Sequence, residues 1–263
     1  MIWGYDREIY HRYGLAAPIE LAAASHPHAL ITGGSGSGKS YALLFLLGKL
    51  LQEHPDTVVY ACDFKNSEDF AFLEGYRHYY TGENCCAGIM EYYREFCQAR
   101  ESRAAQDRGR RLLVCDEYPA LVSFLQMKDK AEKTKRADEI LRAVAEILML
   151  GRGISCGIWL LTQRADASLF ASGARDNFMV VAGLGRLSKE QKGMVFPGQE
   201  VPDAAFSPGE GMLLADGREI TGVKYPLIRD MAGWKGHIFD ILVGSSRRQA
   251  GGEAGKEAGS TRM

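Results

Sequence analysis

The chain has 263 residues, 46% of them hydrophobic and 25% charged, with a formal net charge of −1. That apolar content is enough for one large α/β domain, or one domain with appendages. The near-zero charge argues neither for nor against nucleic acid, and any DNA contact must come from local patches. No apolar run approaches the roughly 20 residues of a spanning helix, and Met1-Ile-Trp-Gly-Tyr-Asp-Arg7 lacks a signal-peptide pattern. The expectation is a cytoplasmic protein with no transmembrane segment of its own.

Residues 1–27 are rich in aromatic and small residues, with Pro18 and Pro27 as breakers. They read as a lead-in packed on the domain that begins at residue 28. Trp3, Tyr5, Tyr10 and Tyr13 could cover an adenine or simply pack.

The next stretch organises the chain. Ala29-Leu-Ile31 is a short apolar strand run, followed by Thr32-Gly-Gly-Ser-Gly-Ser-Gly-Lys-Ser40. Gly33, Gly38, Lys39 and Ser40 fit the spacing G-x-x-x-x-G-K-[ST] of a phosphate-binding loop. In such a loop Gly33, Gly34, Ser35, Gly36, Ser37 and Gly38 let successive backbone N–H groups curl around phosphate oxygens. The positive end of the following helix adds to that field. Lys39 can reach the outer phosphates, and the Ser40 hydroxyl can bind Mg²⁺. From Tyr41 to Leu51 the sequence is apolar nearly all round, as in a helix packed on a sheet.

After a turn at His54-Pro-Asp, Thr57 to Asp63 is a β-branched, apolar run and predicts a buried strand. It ends in Asp63-Phe-Lys65, at the carboxyl edge where ligands of open α/β sheets gather. These residues face either nucleotide, a neighbouring subunit or solvent. Tyr76 to Thr81 is a weak strand, and Cys86 to Arg108 a long polar helix. Cys85, Cys86 and Cys97, with His78 nearby, match no zinc spacing and read as reduced thiols.

Leu112-Leu-Val-Cys-Asp116-Glu117 lies 77 positions after Lys39, with another strand between. Four apolar residues followed by Asp-Glu is the pattern of the strand beside the phosphate loop in P-loop ATPases. A strand-terminal Asp116 can support Mg²⁺, and the adjacent Glu117 can polarise the attacking water. Tyr118 to Leu125 continues as an amphipathic helix, and the lysine-rich interval 126–138 as a surface loop or frayed helix. Glu139 to Leu150 is a clear helix, stopped by Gly151-Arg152-Gly153. Cys156 to Thr162 is a buried strand ending in Gln163-Arg164, where Gln163 could sense a γ-phosphate. A strand at 177–182, a short helix at 188–196 and a hairpin at 210–225 with Asp216-Gly217 as its turn come next. From residue 244 onward the composition predicts a disordered tail.

Together these motifs resemble the motor domain of the FtsK/SpoIIIE family of DNA-translocating ATPases. The likeness is carried by Thr-Gly-Gly-Ser-Gly-Ser-Gly-Lys-Ser, Asp63-Phe-Lys, Met90-Glu-Tyr-Tyr-Arg, Cys-Asp-Glu-Tyr, Arg152 to Arg164 and Glu210-Gly-Met-Leu-Leu. It implies an α/β, RecA-like P-loop NTPase with a central, mostly parallel sheet flanked by helices and a C-terminal β-hairpin. The motor would span residues 28–243. The resemblance further implies ATP and Mg²⁺ as ligands and a homo-hexameric ring around double-stranded DNA. A membrane or relaxase partner on a mobile element would keep it company. Lys39, Ser40 and Asp116 would hold phosphate and Mg²⁺, Glu117 would be the base and Gln163 the sensor. Arg152 would act on the neighbouring subunit's nucleotide. The family's Thr-Gln-Arg-Pro is here Thr-Gln-Arg-Ala165, and no module for reading DNA sequence is recognisable. Type VII secretion motors of the same family, which move protein, and a nucleotide-binding platform with little turnover are the rival readings.

Overall fold

The computed structural model describes residues 1–101, 109–164, 170, 173–202 and 204–260, with side chains up to Ser245. Among the described residues ten strands form one sheet, ordered β2-β1-β10-β9-β8-β3-β7-β6-β4-β5. Strands β3 (His28–Gly33), β4 (Val58–Asp63), β5 (Tyr79–Thr81), β6 (Arg111–Asp116), β7 (Cys156–Thr162) and β8 (Val180–Leu184) run parallel. Strands β1 (Ile2–Asp6), β2 (Pro18–Glu20), β9 (Glu210–Ala215) and β10 (Thr221–Lys224) extend the sheet antiparallel beyond β8.

The parallel strands are continuous apolar runs because both of their faces are covered. In β6, Leu112 and Val114 face one core, while Leu113 and Cys115 face the other. On the first face lie helices α2 (Lys39–Glu53) and α7 (Met231–Ser260). On the second lie α3 (Cys85–Glu101), α4 (Tyr118–Glu132) and α5 (Arg136–Leu150). Helix α2 is apolar nearly all round because it is sandwiched between the sheet and α7. The Trp234 indole of α7 lies against Gly48, where an added Cβ would come within 2.2 Å of the ring, and its Nε1 donates to Leu44 O at 2.9 Å.

Several sequence expectations are refined. The strand carrying Asp116 is not beside the phosphate-loop strand, since β7 lies between β6 and β3. Burying β3 between two other parallel strands leaves the Asp-Glu strand one place further out. Residues 1–27 contribute β1 and β2 to the sheet, with α1 (Arg7–Tyr13) between them. Trp3 is fully buried at 5.4 Å from Trp159, and Tyr5 packs edge-on against Phe45. The lysine-rich interval is helical on both sides of a short break, because Asp129 caps α5 by accepting from the N–H groups of Arg136 and Ala137. Helical backbone of α7 runs through residues 244–260, where composition predicts disorder. The end of the predicted 86–108 helix and the Ala165 position lie outside the described residues. The hairpin stands as β9 paired with β10, Leu213 opposite Thr221.

Candidate functional site

A parallel sheet delivers the ends of all its strands to one edge, and here those ends meet in a cleft of about 390 Å³. Its walls include Ser35, Gly36, Gly38, Lys39 and Ser40 from the loop after β3, and Lys65 from the end of β4. Asp116 and Glu117 come from the end of β6, and Gln163 from the end of β7. Strand register explains the juxtaposition, since Asp63 pairs with Asp116 and Thr32 with Thr162.

The loop is built for close approach. Gly38 has φ 92°, and an added Cβ would meet the Gly209 backbone N at 2.5 Å. Gly209 N in turn donates to Ser37 O at 2.9 Å. No side chain caps the start of α2, which leaves its first-turn N–H groups directed at the cleft. The Lys39 ammonium donates to Gly33 O at 2.7 Å and Gly34 O at 3.1 Å. Burial lowers its pKa, opposed by the charges of Glu117 and Asp116 and reinforced by Lys65.

Asp116 is 7% exposed, and burial followed by the nearby Glu117 and Asp63 carboxylates pushes its pKa up to about 6. Asp63 is also raised by burial, against hydrogen bonds from Ser67 N and the Tyr79 hydroxyl. Such a concentration of negative charge favours a cation there. Among the described residues no group of three His, Cys, Asp or Glu side chains is arranged to hold a metal. Ser40 and Asp116 both line the cleft beside the glycine loop.

Glu117 occupies the left-handed region, φ 52° and ψ 42°, at the junction of β6 and α4. For a residue with a Cβ that backbone costs about 1–2 kcal/mol. The turn swings the carboxylate off the strand line and into the cleft. There Oε1 accepts from Lys65 Nζ at 2.7 Å and from Gln163 Nε2 at 3.1 Å.

Arg152 is not among these groups. It is exposed in the turn before β7, at the opposite edge of the sheet, near His28 at the start of β3. The seven residues of β7 separate it from Gln163 by roughly 20 Å. Sequence reasoning missed Tyr41, Ser67, Asp69, Met231 and Lys235 as cleft residues. Tyr41 is held by donating to Pro226 O at 2.8 Å and accepting from Ile228 N. Nothing local marks Met231 or Lys235, which reach the cleft only because Trp234 docks α7 on α2.

Residues 12–117 match the sequence model of the FtsK/SpoIIIE family. A curated Bacillus subtilis protein, Ftsk domain-containing protein YdcQ, is 31% identical over 185 residues, covering 65% of this chain and 36% of that protein. The chain thus spans about a third of that relative's length. Among solved structures, the pCW3 conjugation coupling protein TcpA with ATPγS aligns at TM-score 0.69 and 18% identity over 91% of this chain and 74% of that one. The cytoplasmic domain of the Thermomonospora curvata type VII secretion ATPase EccC aligns at 0.67 and 21% identity, over 92% of this chain and 30% of that one. At these identities the likeness establishes a shared fold, the mixed α/β sheet of P-loop ATPases.

Proposed function

We propose that this chain, a member of the FtsK/SpoIIIE family, is an ATP-hydrolysing motor that moves double-stranded DNA. The observation that carries the reading is the meeting of Lys39, Asp116, Glu117 and Gln163, from three strand ends, in one cleft at the mouth of a glycine loop. Loop amides from Gly33 to Gly38 and the Lys39 ammonium bind the phosphates. Ser40 and Asp116 would hold Mg²⁺, which would neutralise charge developing on the phosphates. Glu117 takes the proton from the attacking water, and Gln163 holds the carboxylate in position. Arg152, remote from its own cleft and exposed, acts on the nucleotide of a neighbouring subunit in a hexameric ring.

DNA is gripped through its phosphates, without sequence readout, by loops repeated around the ring. The exposed Lys130, Lys133 and Lys135, at the junction of α4 and α5, are candidates for that contact. ATP turnover should rise with duplex DNA of any sequence, and the stimulation should fall steeply with salt as counterion release weakens. The same fold carries a conjugation coupling protein and secretion ATPases, so cargo is a matter for experiment. Turnover that ignores duplex DNA at low salt but responds to the tail of a secreted protein would replace the DNA reading with protein export.

A further inference from the structure

We infer that Lys65 is a positioning residue that holds the Glu117 carboxylate until nucleotide arrives and then transfers its charge to the terminal phosphate. The inference rests on the reading of the cleft as a nucleotide site.

Two features of Lys65 carry it. Its root is fixed, while its side chain is half-exposed and, among the described residues, its ammonium is held by one contact, that to Glu117. The turn after β4 is pinned by Asp63, which accepts from Ser67 N at 2.7 Å and from the Tyr79 hydroxyl at 3.2 Å. Asn66, next in sequence, sits in the left-handed region at φ 53°. The side chain itself remains 47% exposed along the cleft, whereas the Glu117 side chain it pairs with is 8% exposed. A compact ammonium on a four-carbon stem can move between acceptors without moving the backbone.

The second feature is what the present contact does to Glu117. The Lys65 ammonium and the Gln163 amide both donate to the same oxygen, Oε1. A carboxylate oxygen so engaged is a weak base towards water, because its lone pairs are already in charge-assisted bonds. A terminal phosphate bound at the loop carries more negative charge than the carboxylate and enters the same cleft. It outcompetes Glu117 for Lys65 and leaves the carboxylate with Gln163 alone, oriented and unneutralised. The base is thereby restrained when no γ-phosphate is present and released when one is. The two cleft ammoniums divide the work: Lys39 stays with the loop, and Lys65 reports on the last phosphate.

Calorimetric titration of the full chain with ATPγS and with ADP tests this. Lys65→Met should weaken ATPγS binding about tenfold, the scale of one lost charge-assisted hydrogen bond, and change ADP binding by less than about threefold. Lys65→Arg should restore most of the ATPγS preference, since its guanidinium reaches the same phosphate. Glu117→Gln should tighten ATPγS binding above wild type by freeing Lys65, and adding Lys65→Met should erase that gain. An ATPγS-to-ADP affinity ratio unchanged in Lys65→Met, with wild type binding both, would overturn the Lys65 assignment and leave the nucleotide site standing. Failure of wild type to bind either nucleotide would overturn the site and the assignment together.

Discussion

The parallel and antiparallel halves of the sheet are held together by different physics. In the parallel half the strands β3, β4, β6 and β7 are six or seven residues long and buried on both faces, and the polar residues that matter stand at or just beyond their carboxyl ends. The chemistry of the cleft is therefore written in short local runs. The antiparallel half draws strands from residues 2–6, 18–20, 210–215 and 221–224, and a buried carboxylate ties β9 to β10 and to α1, the helix that follows β1. Glu210, 1% exposed, accepts from Arg7 Nε at 2.9 Å and Lys224 Nζ at 2.6 Å, and its Oε1 lies 2.8 Å from His11 Nε2. Burial alone would raise its pKa, but the hydrogen bonds from Lys224, Arg7 and His11 outweigh it and hold the group at about 2. One half presents a site; the other braces it, since Gly209, next to Glu210, supports the phosphate loop through Ser37 O.

If the halves divide in this way, changes in one should spare the other. The largest effect is expected from Glu117→Gln, which still binds nucleotide, ATPγS more tightly than wild type does, and keeps the unfolding midpoint but lowers turnover by roughly 10²–10⁴-fold. Equal turnover in wild type and variant would remove Glu117 as base. Next comes Glu210→Gln, which leaves three cationic or protonatable but partly exposed partners around a neutral amide and should cost about 1–3 kcal/mol of stability in urea unfolding. Nucleotide affinity of the folded fraction should shift by less than about threefold; a collapse of affinity would mean that the brace sets the loop's geometry directly.

A pH experiment sharpens the contrast from inside the parallel half, at β3. His28 is fully buried, both ring nitrogens lack partners, and burial, then the Arg152 charge, lower its pKa to about 4. Above its unfolded value of about 6.5 the ring is neutral in both states and pH has no effect through it. As pH falls from about 6.5 through 4, only the unfolded chain takes the proton readily, and stability drops by up to roughly 3 kcal/mol. His28→Leu should remove that slope in denaturation curves recorded between pH 7 and 4, while the loss through Glu210 persists, beginning below about 5 and completing near 2. The smallest effect is expected at α6 (Lys189–Val195), in the connection between the halves. Ser188 and Gln191 form a reciprocal capping box there, with Gln191 N to Ser188 Oγ at 3.2 Å. Ser188→Ala should cost about 1 kcal/mol in thermal unfolding and leave turnover unchanged.

Much of the fold and cleft was legible because its signals are local. Apolar runs ending in Gly-Lys-Ser, Asp-Phe-Lys, Asp-Glu and Gln-Arg state both the strand and the group at its end. The parallel arrangement then places the polar end of each run on one edge of the sheet. The sequence alone determined the loop, the Asp116–Glu117 pair and the position of Gln163, since spacing and residue type suffice for them. Tertiary structure decided the rest. It inserted β7 between β3 and β6, drew residues 1–27 into the sheet, and turned Glu117 through a left-handed backbone so that Lys65 and Gln163 share one of its oxygens. It also brought Met231 and Lys235 to the cleft across nearly 190 residues of chain from Tyr41, through one indole packed on Gly48. Contacts of that kind depend on shape complementarity between distant segments, which no local pattern of residues encodes.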